Sequence, residues 1–366
     1  MKWKPAAGKY RKSIAEALAT ITPVMFSSDR GKPDDKVIRL ALRGWAFNTK
    51  QRGREDIPAD IAAALQWVER NTLPVSALNE PKLIRAALDA GAQRIDGKPA
   101  AANTANRKRA VLANALGYAV ELRLLASNPI DGIKWTAPKA ATAVDRRCVV
   151  NPVQARTLLN FVYDQQRTGP HLVAFFALLY FAALRPEEAV NLRAHNLCLP
   201  ERGWGELHLE RATPDTGKDW TDSGDQRDDR QLKHRGAGEV RPVPCVPELV
   251  ALLRRHLDTY GTDAEGRLFH AENGGVLRTN TYTNIWKRSR AAAFTPEVVR
   301  SPLARRPYDL RHAAVSTWLN GGVPPTQVAE WAGHSVGVLL RVYAKCLDGQ
   351  QRAARRQVEE VLGRGY

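Results

Sequence analysis

Hydrophobic and polar positions along this chain change their period part-way, and that change divides it. In the first third, apolar residues recur at helical spacing. Val111, Ala115, Tyr118, Leu122 and Leu125 fall at i, i+4, i+7, i+11 and i+14, one face of a helix. The pattern predicts that this helix runs to "SNPI", where the residue before Pro129 is pushed out of the α region. Next comes "WTAPKAATAVDRR", rich in Ala, Pro and Thr and without periodicity, which reads as a linker. A new helix is predicted from Asn151, a capping residue, with Pro152 at its first position. The run from Leu172 to Leu184 is apolar throughout and predicts a buried core helix. It falls short of the roughly 20 residues that span a bilayer.

Beyond that run the period drops to two. "GELHLE" and "EVRPVPCV" alternate as short strands do. Between them "TPDTGKDWTDSGDQRDDR" is predicted to be a long exposed loop. From about residue 277 the helical period returns. The expected fold is mainly α with a small β-sheet (α+β) in the second domain, preceded by an all-helical domain. The expected boundaries are residues 1–135 for the helical domain, 136–147 for the linker and 148–366 for the mixed domain.

At 366 residues, two domains agree with the usual limit on one hydrophobic core. The charge adds a partner to this picture. There are 55 Lys and Arg against 38 Asp and Glu, a formal net charge of +17, and both domains are basic. Such an excess suits a polyanion, either nucleic acid or an acidic membrane surface. The start of the chain, "MKWKPAAGKYRK", lacks the apolar run of a secretory signal, so nucleic acid is the expected partner and the cytoplasm the expected location. The predicted first-domain helix opens on "NRKR", which makes Arg107, Lys108 and Arg109 candidates for DNA contact; a solvated charged face is the alternative. The four cysteines are scattered and form no CxxC pair, so neither a zinc site nor a disulfide framework is expected. "GTDAEGR" has glycine spacing like a phosphate loop but no following Lys-Ser or Lys-Thr. No cofactor or metal is expected.

The chemistry gathers near the C-terminal end, in "RPYDLRHAAVSTWLNGGVPPTQVAEWAGHSVGVLLRVYAK". It offers Arg311, then His334 twenty-three residues later, then Tyr343 nine after that. Singly, each has an ordinary structural explanation: a surface ion pair, a helix cap, a half-buried aromatic. Together they suit a phosphodiester. Arg pairs bidentately with phosphate oxygens, and Tyr is a competent covalent nucleophile.

The stretch "YDLRHAAVSTWLNGGVPPTQVAEWAGHSVGVLLRVY" resembles the signature of the tyrosine recombinases, the phage-integrase family. That signature runs HxLRH, a GH about 23 residues on, and a nucleophilic Tyr nine later. Upstream, "FAALRPEEAVNLR" resembles the family's first arginine box, and "LKHRGAGEVRPVPCVPEL" its lysine-bearing hairpin. The resemblance covers roughly residues 148 to 350. The first domain resembles the family's helical core-binding domain more loosely.

The resemblance implies site-specific recombination through a 3′-phosphotyrosyl intermediate. Tyr343 would be the nucleophile, and Arg185 and Arg311 the phosphate clamps, with Glu188 orienting Arg185. Lys233 would be the acid and His334 a phosphate donor. It also implies duplex DNA attachment sites as substrate, a tetrameric synapse of this chain, an accessory directionality factor and no membrane. The sequence departs from the signature where Tyr308 replaces the usual first His and Leu340 the Thr three before the nucleophile. A phenol at 308 can donate to phosphate but is no base at neutral pH. The alternatives are relaxation of DNA by a type IB topoisomerase-like enzyme and a non-catalytic DNA-binding protein with a decayed site.

Overall fold

The computed structural model describes residues 6–139, 143–233, 236, 238–272, 274–343, 346, 355–356, 358–360 and 362–363. The chain forms two compact units. One comprises residues 1–140 together with 216–228, the other residues 141–215 and 229–366.

The first unit is helical: α1 (Gly8–Ile21), α2 (Asp35–Leu40), α3 (Ala59–Asn71), α4 (Pro81–Gly91) and α5 (Ala102–Glu121). Its main apolar cluster joins Ile21 of α1, Ile84 and Leu88 of α4, and Leu112 and Leu116 of α5, and Leu125 and Ile130 close it beyond the helix. The stripe expected on α5 is rotated. Ala105, Lys108, Val111, Leu112 and Leu116 are its buried residues, while Tyr118 and Leu122 are exposed. The expected face runs through residues beyond the helix, which ends at Glu121 and not at Pro129. Arg123 takes a left-handed φ of 59° there. Asn128 and Pro129 instead open a separate 3₁₀ turn, with the Asn128 side chain accepting from the Ile130 amide.

The segment expected as an exposed loop is folded. Residues 216–228 pack into the first unit, with Trp220, Thr216 and Thr221 buried. Arg11 of α1 pairs through both terminal nitrogens with the Asp222 carboxylate. Asn48 Nδ2 donates to the Asp219 carbonyl at 3.1 Å, and the Gly8 amide donates to Asp228 at 3.1 Å. A Cβ at Gly8 would stand 2.6 Å from the Trp220 carbonyl oxygen, so only glycine admits this approach. The Asp, Gly and Thr that mark a loop by composition here satisfy an Arg and backbone groups of α1.

The second unit opens with α6 (Pro152–Tyr163), whose N-terminus carries a reciprocal capping box between Asn151 and Gln154. Val144, inside the expected linker, is buried in this unit, and its amide donates to the Val342 carbonyl at 2.8 Å. Then follow α7 (Thr168–Phe181) and α8 (Pro186–Asn191). α7 is apolar on every side because it is surrounded, with Leu172, Phe175, Phe176 and Leu179 fully covered. Among the described residues no helix is long and apolar enough to cross a membrane.

The strands are β1 (Leu197–Cys198), β2 (Gly205–Leu209), β3 (Arg211–Ala212), β4 (Arg230–Gln231) and β5 (Arg241–Cys245). β1, β2 and β5 form an antiparallel sheet in that order, with Gly205 opposite Cys245 and Leu209 opposite Arg241. Pro242 and Pro244 lack an amide hydrogen and so confine β5 to the sheet edge, where it lies. Its alternation turns Arg241, Val243 and Cys245 inward. α9 (Pro247–Tyr260), α10 (Thr279–Ala293), α11 (Pro296–Arg300), α12 (Tyr308–Asn320), α13 (Pro325–Ala332) and α14 (Val336–Tyr343) complete the unit. The fold class is thus mainly α with a small antiparallel sheet, preceded by an all-helical unit.

Candidate active site

The site lies in the second unit and is built around one carboxylate. Pro186 starts α8 and leaves Arg185 as its extended N-cap. The Glu188 side chain turns back to accept from the Arg185 amide at 2.8 Å and from Arg185 Nη1 at 2.6 Å. On its other side the same carboxylate accepts from Arg241 Nη1 at 3.0 Å and Nη2 at 2.7 Å. Glu188 and Arg241 are both buried. Burial alone would raise the Glu188 pKa, but the charges of Arg241 and Arg185 outweigh it and hold the carboxyl well below the usual carboxylate range.

Arg185 Nη2 donates to the Gly333 carbonyl at 2.8 Å, tying α8 to the end of α13. Gly333 takes φ +65° as the C-cap of α13, and a Cβ there would lie 2.2 Å from Arg241 Nη1. Both the left-handed turn and the packed guanidinium demand glycine before His334.

Arg311 comes from the first turn of α12 and is fully buried. Its Nη1 donates to the carbonyl of Ala183, a non-glycine residue held at φ 50° where the chain leaves α7. Its Nη2 donates to the Ala332 carbonyl at 2.5 Å and faces His334 Nε2 at 2.8 Å. A guanidinium only donates, so His334 Nε2 accepts and the ring hydrogen sits on Nδ1. Burial, then the charges of Arg311, Arg185 and Arg241, push the His334 pKa down to about 3, so the ring is neutral. Its Nδ1 is buried and, among the described residues, has no hydrogen-bond partner.

Tyr343 ends α14 with its ring buried against those of His312 and His334, centroids 5.7 Å and 6.0 Å away. Its hydroxyl lies 2.9 Å from His312 Nδ1. Burial raises the phenol pKa, against the lowering effect of Arg311. Tyr308 stacks edge-on to His312 at 5.1 Å, with the Arg311 guanidinium 6.0 Å from its ring centre.

The structure therefore brings together Arg185, Glu188, Arg311, His334, Tyr343 and Tyr308. Lys233 stands apart. It is exposed in the turn after β4, and among the described residues no hydrogen bond or ion pair joins it to the cluster. Its neighbour His234 lies outside the described residues, and Lys218, another lysine that could supply a proton, belongs to the first unit. Arg107 and Arg109 are exposed on α5, whereas Lys108 is buried and directs its amine to the Gln93 carbonyl at 3.4 Å. Arg241 escaped the sequence reading, and His312, the last position of the HxLRH motif, had no role in it. Arg241 announces itself only as an inward position of an alternating strand. His312 follows Tyr308 by four residues, which places both on one helix face.

A Tn1549 transposon integrase bound to circular-intermediate DNA superposes with a TM-score of 0.60 at 16% identity, covering 85% of this chain and 96% of that one. A XerH site-specific recombinase bound to difH DNA in a post-cleavage complex gives 0.51 at 11% identity, covering 98% and 97%. This chain has the tyrosine-recombinase fold. No family model matches the sequence. No curated protein matches it either. The fold is thus preserved at identities where pairwise sequence similarity has faded.

Proposed function

We propose that this protein is a site-specific DNA recombinase that cuts and rejoins duplex DNA through a covalent bond between Tyr343 and a 3′-phosphate, serving as the integrase of a phage or other mobile element. The convergence of two buried arginines, a neutral histidine and a tyrosine hydroxyl carries this reading. Arg185 and Arg311 hold the non-bridging phosphate oxygens and offset the charge that builds up in the transition state. Glu188, shared with Arg241, fixes the Arg185 fork. The Nδ1–H of His334, without a partner among the described residues, donates to a phosphate oxygen, and Tyr308 assists from the next turn. Lys233 is assigned the proton for the leaving 5′-oxygen. Arg311 and Tyr343 are covered in this structure, so α14 shifts when the phosphate arrives.

The net charge of +17 and the DNA in the two related complexes support duplex DNA as substrate. Four copies of this chain on two attachment sites, an accessory factor that sets direction, and a cytoplasmic, nucleoid-bound location complete the proposal.

A nicked suicide substrate tests the core of it. Wild-type protein should form an SDS-resistant adduct. Tyr343→Phe should form none while binding DNA nearly as well, with affinity falling steeply as salt rises. An adduct that persists in Tyr343→Phe would rule out this nucleophile. Relaxation of a supercoiled plasmid without strand exchange between two sites would favour a topoisomerase instead.

A further inference from the structure

Among the described residues, His312 is the one whose side chain meets the Tyr343 hydroxyl. α12 presents Tyr308, Arg311 and His312 at i, i+3 and i+4, so the residue after the arginine shares its face. His312 Nδ1 stands 2.9 Å from Tyr343 Oη. The phenol is only 1% exposed, and a buried hydroxyl needs an acceptor for its hydrogen. Nearby Arg311 and Arg185 only donate. The Nε2 lone pair of His334 is taken by Arg311, and its Nδ1 carries the ring hydrogen. Among the described contacts the acceptor is therefore Nδ1 of His312, with the ring hydrogen of that residue on Nε2. The opposite tautomer would leave the phenol hydrogen buried without a partner, at a cost of about 1–3 kcal/mol.

We propose that His312 is the general base that takes the Tyr343 proton during DNA cleavage and returns it on rejoining. The proposal rests on Tyr343 being the nucleophile. As the bond from Oη to phosphorus forms and the bond from phosphorus to the 5′-oxygen breaks, the phenol proton passes to His312 Nδ1. The leaving oxygen takes its proton from the separate donor assigned to Lys233. The imidazolium keeps its proton while the phosphotyrosyl bond lasts. On rejoining, the 5′-hydroxyl attacks, its proton goes back to that donor, and the departing Tyr343 oxygen recovers its own from Nδ1. Position 308, a phenol, is unable to do this at neutral pH.

The surroundings suit the role. Burial foremost, with Arg306 and Arg311 adding and Asp309 opposing, pushes the His312 pKa down to about 4, so the ring is a free base at neutral pH. Asp309, itself buried on the same helix, faces the imidazolium that forms. Around the acceptor–donor pair stand Tyr308, Asp309, Arg306 and Arg311 from α12 and its approach, Arg185 beside α8, and His334 and Cys346 flanking α14. Among the described residues none but His312 meets the phenol as a neutral acceptor. Proton transfer accompanies formation of the new ester bond, because the oxygen of an aryl phosphate is far less basic than a phenolate.

Single-turnover adduct formation on the suicide substrate between pH 6 and 9 provides the test, with wild type, His312→Asn, and both proteins carrying a fluorinated tyrosine of lower pKa at position 343. Asn keeps an acceptor near the Nδ1 position but is no base. Wild type should be nearly level across this range. His312→Asn should be at least about a hundredfold slower at pH 7, the usual scale of general-base catalysis, and should rise about tenfold per pH unit. Fluorotyrosine should recover most of that loss in the variant and change wild type little. Parallel pH profiles for wild type and His312→Asn would overturn the proposal, as would a variant that fluorotyrosine leaves slow. Should His312→Asn fail to bind DNA, wild type decides alone: a rate climbing tenfold per pH unit excludes a built-in base. If wild type forms no adduct at all, the recombinase reading falls and this proposal with it.

Discussion

At the scale of single residues, the site depends on charges that neutralise one another inside the protein. Glu188 is covered and accepts hydrogen bonds from two arginines. Removing its charge leaves Arg241, itself fully buried, without a counter-ion, so Glu188→Gln should lower unfolding free energy by about 3–5 kcal/mol in urea titrations at pH 7. The pH dependence has a definite sign. The folded carboxyl is held below its unfolded value near 4.3, so its contribution is complete above that value and fades as pH falls toward the folded pKa. The stability gap between wild type and Glu188→Gln should therefore be constant above about pH 5 and shrink steadily below pH 4. A gap independent of pH down to 3 would mean that the carboxylate charge is not what stabilises the site.

Lys233 poses the complementary case, an exposed cation assigned to a proton transfer. An alkoxide is a poor leaving group without a proton, and Arg holds its protons too firmly to supply one. Lys233→Ala should stall cleavage of ordinary DNA and recover it on DNA with sulfur at the 5′-bridging position, since a thiolate leaves unprotonated. Recovery in Lys218→Ala and not in Lys233→Ala would move the acid to the other lysine.

At the scale of elements, the proposed reaction asks α14 to move. Leu339 and Tyr343 are the buried residues of this eight-residue helix, whereas α12 buries eight of its own. Few apolar contacts mean a low free energy of local opening. Amides of α14 should exchange with deuterium well before those of α12, and faster still when a phosphate-bearing substrate draws Tyr343 out. Leu339 is fully covered, so Leu339→Ala should destabilise the protein by about 2–5 kcal/mol. It should also speed α14 exchange selectively. Equal protection of α12 and α14 would show that the helix is held as firmly as the core.

At the scale of the whole molecule, the proposed assembly of copies on DNA turns attention to the residues after Tyr343. Val358, Val361 and Leu362 have the spacing of a narrow apolar stripe, suited to docking on a partner helix. Val358 and Leu362 are exposed, and Val361 lies outside the described residues. Removal of residues 350–366 should leave binding to one site intact and weaken pairing of two sites in mobility-shift assays. Normal paired complexes without the tail would refute a docking role.

What local sequence determined is what depends on neighbours in the chain. The capped start of α6, the apolar body of α7 and the alternation of β2 and β5 each follow from a few consecutive residues, although α7 begins at Thr168 and ends at Phe181, three residues short of the expected Leu184. The grouping of Arg185, Glu188, Arg311, His334 and Tyr343 could be read from two short motifs, while their roles are proposals. Tertiary structure decided what depends on distant partners. It turned α5 so that Leu112 and Leu116, not Tyr118 and Leu122, face the apolar cluster, because the side that finds neighbours is the side that is buried. It folded residues 216–228 into the first unit, where Arg11 and Asn48 meet polar groups that composition alone assigns to water. It also set Arg241 against Glu188 and His312 against Tyr343, pairs separated by 53 and 31 residues. Nothing local specifies such a pair, because its energy exists only once the packed interior excludes water from both partners.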